Sequence, residues 1–162
     1  MMMSVEEAAE SVVELASEKQ LRIATAESCT GGMIAGAITS IAGSSDVMDG
    51  SVVSYSNRIK HQILDVPPEI LDSYGAVSEQ TACAMAEGVR ERLGVDCAVS
   101  VTGIAGPGGG TPEKPVGTVW IGVADAQGSR AQLHQFDGNR AEVREKTVIV
   151  ALQLLCQAIE EA

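Results

Sequence analysis

The stretch LRIATAESCTGGMIAGAITSI, residues 21–41, decides the fold of this chain. Its first part, Leu21–Ala26, is a short apolar run of the kind that forms a buried β-strand, whereas Met33–Ile41 has apolar residues at helical spacing. Between them, Glu27–Gly32 reads ESCTGG and predicts a turn. A strand that passes through a turn into a helix is typical of an α/β domain.

Helices and strands also mix along the rest of the chain. The pattern predicts further helices over 4–20, 58–64, 67–73, 78–93 and 139–159, with N-caps at Ser4, Asn57, Ser78 and Asn139. It predicts further strands over 50–56 and 96–102, and a hairpin of 116–125 and 132–136 with Gln127-Gly128 at its turn. No repeat or linker interrupts the pattern, so we expect one α/β domain over residues 1–162, built in three layers.

Composition argues against direct nucleic-acid binding. The chain has a formal net charge of −11 with 11 Lys and Arg residues, so it lacks the cations for a broad basic surface. Aromatic residues make up only 2% of it, too few for a base-stacking platform. A local pocket for a small phosphate remains compatible with this charge.

Cysteine and histidine spacing predicts neither a metal site nor a disulfide framework. The four cysteines include no C-x-x-C pair, and His61 and His134 are far apart in the sequence. The acidic start MMMSVEEAAE lacks the features of a secretory signal, and no apolar run reaches membrane-spanning length. We therefore expect a cytoplasmic protein with reduced thiols, no metal, no other cofactor and no membrane contact.

The turn at Ser28 is the first candidate for chemistry. A serine that follows a buried strand and precedes a helix can act as a nucleophile, provided that a base takes its proton and N–H donors face the developing oxyanion. The amides of Thr30, Gly31 and Gly32 are the candidate donors, because they open the next helix. Cys29 is an equally good nucleophile from the pattern alone, and a simple capping turn explains the same residues.

The segment SVVSYSNRIKHQ, residues 51–62, supplies a candidate base. Lys60 falls in the first turn of a helix, where the helix dipole, the like charge of Arg58 and burial would each lower its pKa. A shift of about three units from the ordinary value of about 10.4 costs roughly 4 kcal/mol. Tyr55 could relay the proton or hold the lysine. The alternative is a surface lysine beside a packed tyrosine.

Two further segments carry candidate ligands for an anion. The loop from Gly103 to Pro115 holds five glycines and follows a strand, as main-chain anion pockets often do, although it is not a Walker A loop. Arg140 and Arg144 lie one helical turn apart near a helix start and could bind phosphate oxygens. A mobile surface loop and a solvated face of local ion pairs are the respective alternatives.

Taken together, these segments resemble the CinA C-terminal domain family, also known as nicotinamide-nucleotide amidases. The matching motifs are ATAESCTGG, GSVVSYSN with Lys60 behind it, YGAVSEQTACAMAEGV, SVTGIAGPGGGTPEKPVGTVWIG and FDGNRAEVR, which extend over residues 21–155. The resemblance implies a three-layer α/β/α fold with a mixed sheet, self-association into a homo-oligomer, and no cofactor.

The resemblance also implies an activity, the hydrolysis of nicotinamide mononucleotide to nicotinate mononucleotide and ammonia by a Ser/Lys mechanism. It assigns the catalytic residues to Ser28, Tyr55 and Lys60 and so favours Ser28 over Cys29. We assign substrate binding to Glu27, Asn57, Thr102, Gly103, Gly106, Lys114, Arg140 and Arg144.

Three alternatives to this activity stay open. The domain could hydrolyse another pyridine or nucleotide amide, or it could be a catalytically silent module that binds a nucleotide or a partner. A role in competence, which the family name suggests, would require DNA binding that the charge disfavours. Many members carry an additional nucleotide-hydrolysing domain that this chain does not show, so we expect no pyrophosphatase activity.

Overall fold

The computed structural model describes residues 3–162, and within them six α-helices surround five β-strands. The helices are α1 (Val5–Lys19), α2 (Met33–Thr39), α3 (Asn57–Leu64), α4 (Pro68–Tyr74), α5 (Glu79–Leu93) and α6 (Arg140–Glu161). The strands are β1 (Ile23–Glu27), β2 (Met48–Val53), β3 (Cys97–Gly103), β4 (Thr118–Asp125) and β5 (Gly128–Gln135). A single 3₁₀ turn at Ser44–Asp46, which the sequence pattern did not predict, precedes β2.

The strands form one mixed sheet in the order β2-β1-β3-β4-β5. Strand β1 pairs in parallel with β2 and β3, whereas β3–β4 and β4–β5 are antiparallel. Helices α1, α2 and α6 pack on one face of the sheet, and α3, α4 and α5 on the other. The predicted three-layer α/β/α fold with a mixed sheet is therefore confirmed.

The central strand β1 serves both faces, because successive side chains of a strand point in opposite directions. Ile23 lies in the core beneath α1, α2 and α6, while Ala24 and Ala26 lie in the smaller core beneath α5. All five residues of β1 are buried, as the apolar run predicted. Its last residue, Glu27, is its only charged residue and directly precedes Ser28.

Most helix starts agree with the sequence, and one does not. Ser4, Ser78 and Asn139 cap α1, α5 and α6 through their side-chain oxygens, as predicted. The cap of α3 is Ser56 rather than Asn57, because the Ser56 hydroxyl accepts a hydrogen bond from the amide of Ile59. The prediction for Asn57 was wrong by one residue.

The hairpin also differs from its prediction. The turn is Ala126-Gln127 rather than Gln127-Gly128, and β5 starts at Gly128 instead of Gln132. Strand β5 lies at the edge of the sheet and is exposed along much of its length, so its polar sequence carries little strand signal.

Three parallel strands end at the same edge of the sheet. Glu27 pairs with Val53 of β2 on one side and with Val101 of β3 on the other. Ligands of open α/β sheets bind outside the carboxyl ends of the strands. The residues that follow β1, β2 and β3 therefore meet where a site is expected.

The packing of α5 against α3 yields a prediction about two helical glycines. A Cβ on Gly88 would overlap the carbonyl oxygen of Leu64, whereas a Cβ on Gly36 of α2 would meet nothing within 4 Å. Gly88→Ala should therefore lower the free energy of unfolding by about 1–3 kcal/mol. Gly36→Ala should raise it by up to about 1 kcal/mol, since alanine is the better helix former. Urea unfolding of both variants checks this, and shifts of the same sign would contradict it.

Candidate active site

A cleft of about 200 Å³ opens at the carboxyl edge of the sheet. It is lined by residues that follow β1 and β2, by the loop between α4 and α5, by the end of β3 and by the start of α6: Ser28, Cys29, Tyr55, Asn57, Lys60, Ala76, Val77, Thr102, Gly103, Ala105 and Arg140. Five segments of the chain thus meet here.

The floor of the cleft holds Ser28 and Lys60 in direct contact. The Lys60 Nζ atom lies 3.0 Å from the Ser28 Oγ atom, and the lysine is only 1% exposed. The same amine donates to the main-chain carbonyls of Ser54 at 2.8 Å and Tyr55 at 3.2 Å. A lysine buried at this depth without a carboxylate partner is rare among proteins.

The surroundings of Lys60 suit an uncharged amine. A neutral amine has two N–H donors and one lone pair, and the carbonyls of Ser54 and Tyr55 accept the two donors. The lone pair is then left for the hydroxyl proton of Ser28. Burial lowers the pKa of Lys60 to about 8, which brings the neutral form into reach near physiological pH. Arg58, whose like charge was expected to lower the pKa of Lys60, instead donates to Gln62 on the exposed side of α3.

Cys29, the rival nucleophile, is poorly placed to react. It is 5% exposed, and burial raises the pKa of its thiol to about 11. The thiolate is the reactive form of cysteine, so a raised pKa disfavours that form near neutral pH. The structure thereby separates two residues that the sequence pattern left equivalent.

The amides of the Ser28 turn are only partly free. Gly31 donates its N–H to the Ser28 carbonyl at 3.1 Å, and Gly32 donates to the Glu27 carboxylate at 3.2 Å. Within residues 3–162, the N–H groups of Cys29 and Thr30 have no acceptor. Of the three expected oxyanion donors, Gly31 and Gly32 are occupied and Thr30 remains available. The amide of Cys29, which was not among the expected donors, is the second available donor.

Glu27 does not reach the cleft, contrary to its expected role in substrate binding. Its side chain is fully buried and accepts hydrogen bonds from the amides of Ile34 and Ala35 at the start of α2. The hydroxyl of Thr30 also donates to it, at 2.6 Å. A carboxylate that satisfies helix N-terminal donors acts as an internal cap.

The two arginines of α6 have different positions. Arg140 lines the cleft, where it donates to the carbonyl of Gly106 at 2.8 Å and to the Tyr55 hydroxyl at 3.3 Å. Arg144 instead donates to the carbonyls of Cys29 at 2.9 Å and Thr30 at 3.3 Å. Arg144 therefore anchors the Ser28 turn and does not line the cleft, so its assignment to the substrate is not supported by its position.

The hydrogen bonds of the Gly103–Pro115 loop and of the neighbouring Thr102 go mainly to other parts of the protein. Gly103 and Thr102 line the cleft, and the Thr102 hydroxyl donates to the carbonyl of Ala76 at 2.8 Å. Lys114 lies outside it, because its Nζ atom donates to the carbonyl of Tyr74 at 2.7 Å and ties the loop to α4. The carbonyl of Gly106 accepts a hydrogen bond from Arg140.

Comparison with known proteins fits this geometry. The family model for the CinA C-terminal domain matches residues 5–159. This chain belongs to the CinA C-terminal domain family. Its sequence is 54% identical to a CinA-like protein of Mycolicibacterium gilvum over 85% of the chain, and 50% identical to one of Gemmatimonas aurantiaca over 86%. Each match covers 33% of the relative, so the chain spans about a third of the length of these curated relatives.

Solved structures of the family share the whole fold. The competence/damage inducible protein CihA from Agrobacterium tumefaciens superimposes with a TM-score of 0.93 at 44% identity, covering 99% of both chains. A CinA superfamily protein from Escherichia coli gives a TM-score of 0.91 at 34% identity, covering 95% of this chain and 90% of that one.

Some parts of this CinA-type site could not be anticipated from the sequence. The two carbonyls that receive the Lys60 amine come from Ser54 and Tyr55, and main-chain acceptors leave no mark on residue type. Ala76, Val77 and Ala105 form apolar walls of the cleft and likewise carry no sequence signal. In the described residues 3–162, no cluster of three or more metal-ligating side chains forms, and none of their helices has the length and hydropathy to cross a membrane.

The burial of Lys60 predicts a pH-dependent cost to stability. Its pKa falls from 10.5 to about 8 on folding, so between these values the unfolded chain binds the proton and the folded one does not. Stability relative to Lys60→Met should therefore rise from pH 8 to pH 10.5, by roughly 3 kcal/mol in all. Urea unfolding of both proteins across this range measures the difference, and a flat difference would refute the burial of a neutral amine.

Proposed function

We propose that this domain hydrolyses the carboxamide of nicotinamide mononucleotide, releasing nicotinate mononucleotide and ammonia, with Ser28 as nucleophile and Lys60 as general base. The observation that carries the proposal is the 3.0 Å contact between Lys60 Nζ and Ser28 Oγ, made by an amine whose remaining neighbours are carbonyls. The substrate in this proposal comes from the family resemblance of the sequence motifs, because the names of the relatives, CinA-like proteins, specify no substrate.

The reaction follows from this contact. The lone pair of Lys60 accepts the Ser28 hydroxyl proton as Oγ bonds to the carboxamide carbon. The resulting ammonium returns the proton to the amide nitrogen, the C–N bond breaks, and ammonia leaves an acyl-Ser28 ester. Water then attacks the ester carbon and loses a proton to Lys60. The ammonium returns this proton to Ser28 Oγ as the ester bond breaks, so nicotinate mononucleotide departs with Ser28 and the neutral amine restored. No proton relay through Tyr55 is needed, because Lys60 Nζ and Ser28 Oγ are already within hydrogen-bond distance.

The oxyanion of each tetrahedral intermediate would be bound by the free amides of Cys29 and Thr30. These N–H groups follow Ser28 directly in the chain and have no acceptor within residues 3–162. Arg144 holds the carbonyls of the same two residues and so fixes the turn that orients the amides. Preorganised donors of this type are often the largest single contribution to acyl transfer.

The cleft suits the reacting end of a mononucleotide. Pockets for drug-sized ligands enclose roughly 300–1,000 Å³, so a cleft of about 200 Å³ is sized for the pyridine ring and its amide. The ribose and phosphate would then extend past the rim, where Arg140 offers positive charge and Tyr55, 64% exposed, offers an aromatic face. Asn57 and Thr102 line the same cleft and could contact the substrate. The proposal retains the expected cytoplasmic location and self-association.

The first experiment measures ammonia release from nicotinamide mononucleotide by wild type and three variants. Ser28→Ala should lower turnover by at least about 10⁴-fold and Lys60→Met by about 10²–10⁴-fold, because they remove the nucleophile and its base. Cys29→Ala should keep most activity, since the raised pKa of the thiol disfavours the thiolate and the main-chain amide remains. The loss of activity in Cys29→Ala alone would show that the nucleophile is misassigned.

The wild-type result separates the alternative functions. If wild type releases no ammonia from nicotinamide mononucleotide but does so from another amide in a panel of pyridine and nucleotide amides, the chemistry stands and the substrate changes. If no amide is hydrolysed, yet isothermal titration shows binding of the mononucleotide, the domain is a silent nucleotide-binding module.

The pKa of Lys60 fixes the expected pH dependence. The neutral amine is the active base, so kcat/KM should rise about tenfold per pH unit below pH 8 and level off above it. Initial rates from pH 6 to pH 10 measure this limb. A profile that is flat across pH 8 would exclude Lys60 as the general base.

A further inference from the structure

We propose that Glu27 is the positioning residue of this site: its buried carboxylate caps α2 internally and so fixes the Ser28 turn against the Lys60 amine. The inference rests on the proposed Ser28/Lys60 chemistry. It assigns a role to a charged side chain that the mechanism leaves unused and that never touches the cleft.

The carboxylate of Glu27 is held by hydrogen-bond donors alone. It is 0% exposed, and among residues 3–162 no lysine or arginine forms a salt bridge with it. One oxygen accepts from Gly32 N, Ile34 N and the Thr30 hydroxyl, and the other accepts from Ala35 N and the hydroxyls of Thr25 and Ser51. A buried charge that gathers six donors is costly to disturb, because a donor left behind is buried without a partner.

Four of these donors lie in the turn after Ser28 or at the start of α2. Thr30 and Gly32 close the turn that begins at Ser28, while Ile34 and Ala35 form the first turn of α2. The carboxylate engages the Gly32 amide, whereas among residues 3–162 the amides of Cys29 and Thr30 have no acceptor. The carboxylate thereby influences which N–H groups of the turn remain free.

The main chain of Glu27 reaches the base as well. Its carbonyl accepts the amide of Ser54 at 2.7 Å, and the carbonyl of Ser54 in turn accepts the Lys60 amine at 2.8 Å. One residue therefore holds the nucleophile turn through its side chain and the acceptor of the base through its backbone. A displacement of the Ser28 turn or of the Ser54 carbonyl would therefore change the 3.0 Å separation between Lys60 Nζ and Ser28 Oγ.

Glu27→Gln is the test, because it keeps the shape of the side chain and replaces one acceptor oxygen with an NH₂ donor. That NH₂ group would face either the amides of Gly32 and Ile34 or that of Ala35. We expect kcat to fall about 10²-fold, as a misplacement of about 1 Å can cause, with KM changed less than threefold because Glu27 lies outside the cleft. Amide hydrogen exchange at Ile34 and Ala35 should accelerate.

A second readout does not depend on the identity of the substrate. An alkyl fluorophosphonate reacts with an activated serine to form an Oγ–P bond and release fluoride, so its labelling rate at Ser28 reports the dyad directly. Labelling of Glu27→Gln should also be about 10²-fold slower than that of wild type. If that variant does not fold, Glu27→Asp carries the test, since its shorter carboxylate keeps the charge but cannot reach every donor, and it should label at an intermediate rate.

Leu155→Ala is the matched control for lost stability. Leu155 is fully buried in α6, remote from the cleft, and its truncation destabilises the core without touching the dyad. We expect it to label and turn over within twofold of wild type. Equal losses in Leu155→Ala and Glu27→Gln, or labelling of Glu27→Gln within threefold of wild type, would overturn the inference.

Failure of the proposed function has a different signature. A wild-type domain that is labelled at Ser28 but releases no ammonia overturns the proposed substrate alone, and the labelling ratio still decides the role of Glu27. A wild-type domain that is not labelled at all overturns both.

Discussion

An amine can stay uncharged in a protein interior when each of its N–H groups has an acceptor and its lone pair faces a donor. Lys60 is placed in this way, between the carbonyls of Ser54 and Tyr55 and the hydroxyl of Ser28. The remaining features of the site follow from the need to maintain this arrangement. Strand β2 must end at Val53 so that the next two carbonyls turn inward, and α3 must begin at once so that its lysine points back beneath them.

Charged side chains are distributed unevenly between the cleft and the rest of the chain. The chain carries a net charge of −11, yet among residues 3–162 the cleft is lined by Arg140 beside the neutral amine of Lys60 and by no carboxylate. The acidic side chain of Glu27, the residue before Ser28, is fully buried beneath the Ser28 turn and accepts hydrogen bonds from main-chain amides. An acidic surface around a locally basic cleft discourages binding to nucleic acid while leaving a place for a single small anion.

Much of the fold could be predicted from the sequence, because periodicity and caps are local signals. The buried strand β1, the turn after it and the caps Ser4, Ser78 and Asn139 followed from patterns within a few residues. Strand β5 was predicted too short, since an exposed edge strand needs few apolar residues. Asn57 and Ser56 both suit a helix cap, and only the backbone decides between them.

The site was less accessible to prediction for a physical reason. Residue type shows that Lys60 and Arg144 carry charge, but not what each contacts. Arg144 was expected on a phosphate and instead binds the carbonyls of the Ser28 turn, and Glu27 was expected at the substrate and lies beneath it. Both assignments depended on the direction in which a side chain points across the tertiary structure. The sequence located the Ser28 turn, whereas geometry distinguished Ser28 from Cys29, because Lys60 contacts the Ser28 hydroxyl and burial raises the pKa of the Cys29 thiol.

The order of the strands has a consequence for how the active state arises during folding. Strand β1 precedes in sequence both of its neighbours, so its parallel pairings are non-local and form more slowly than helices or hairpins. The amide of Ser28 bonds to Val101 of β3, and the turn is anchored by Arg144 of α6. The Ser28 turn is therefore not anchored until α6 docks, so recovery of serine reactivity in refolding would report the docking of α6 and not the first collapse.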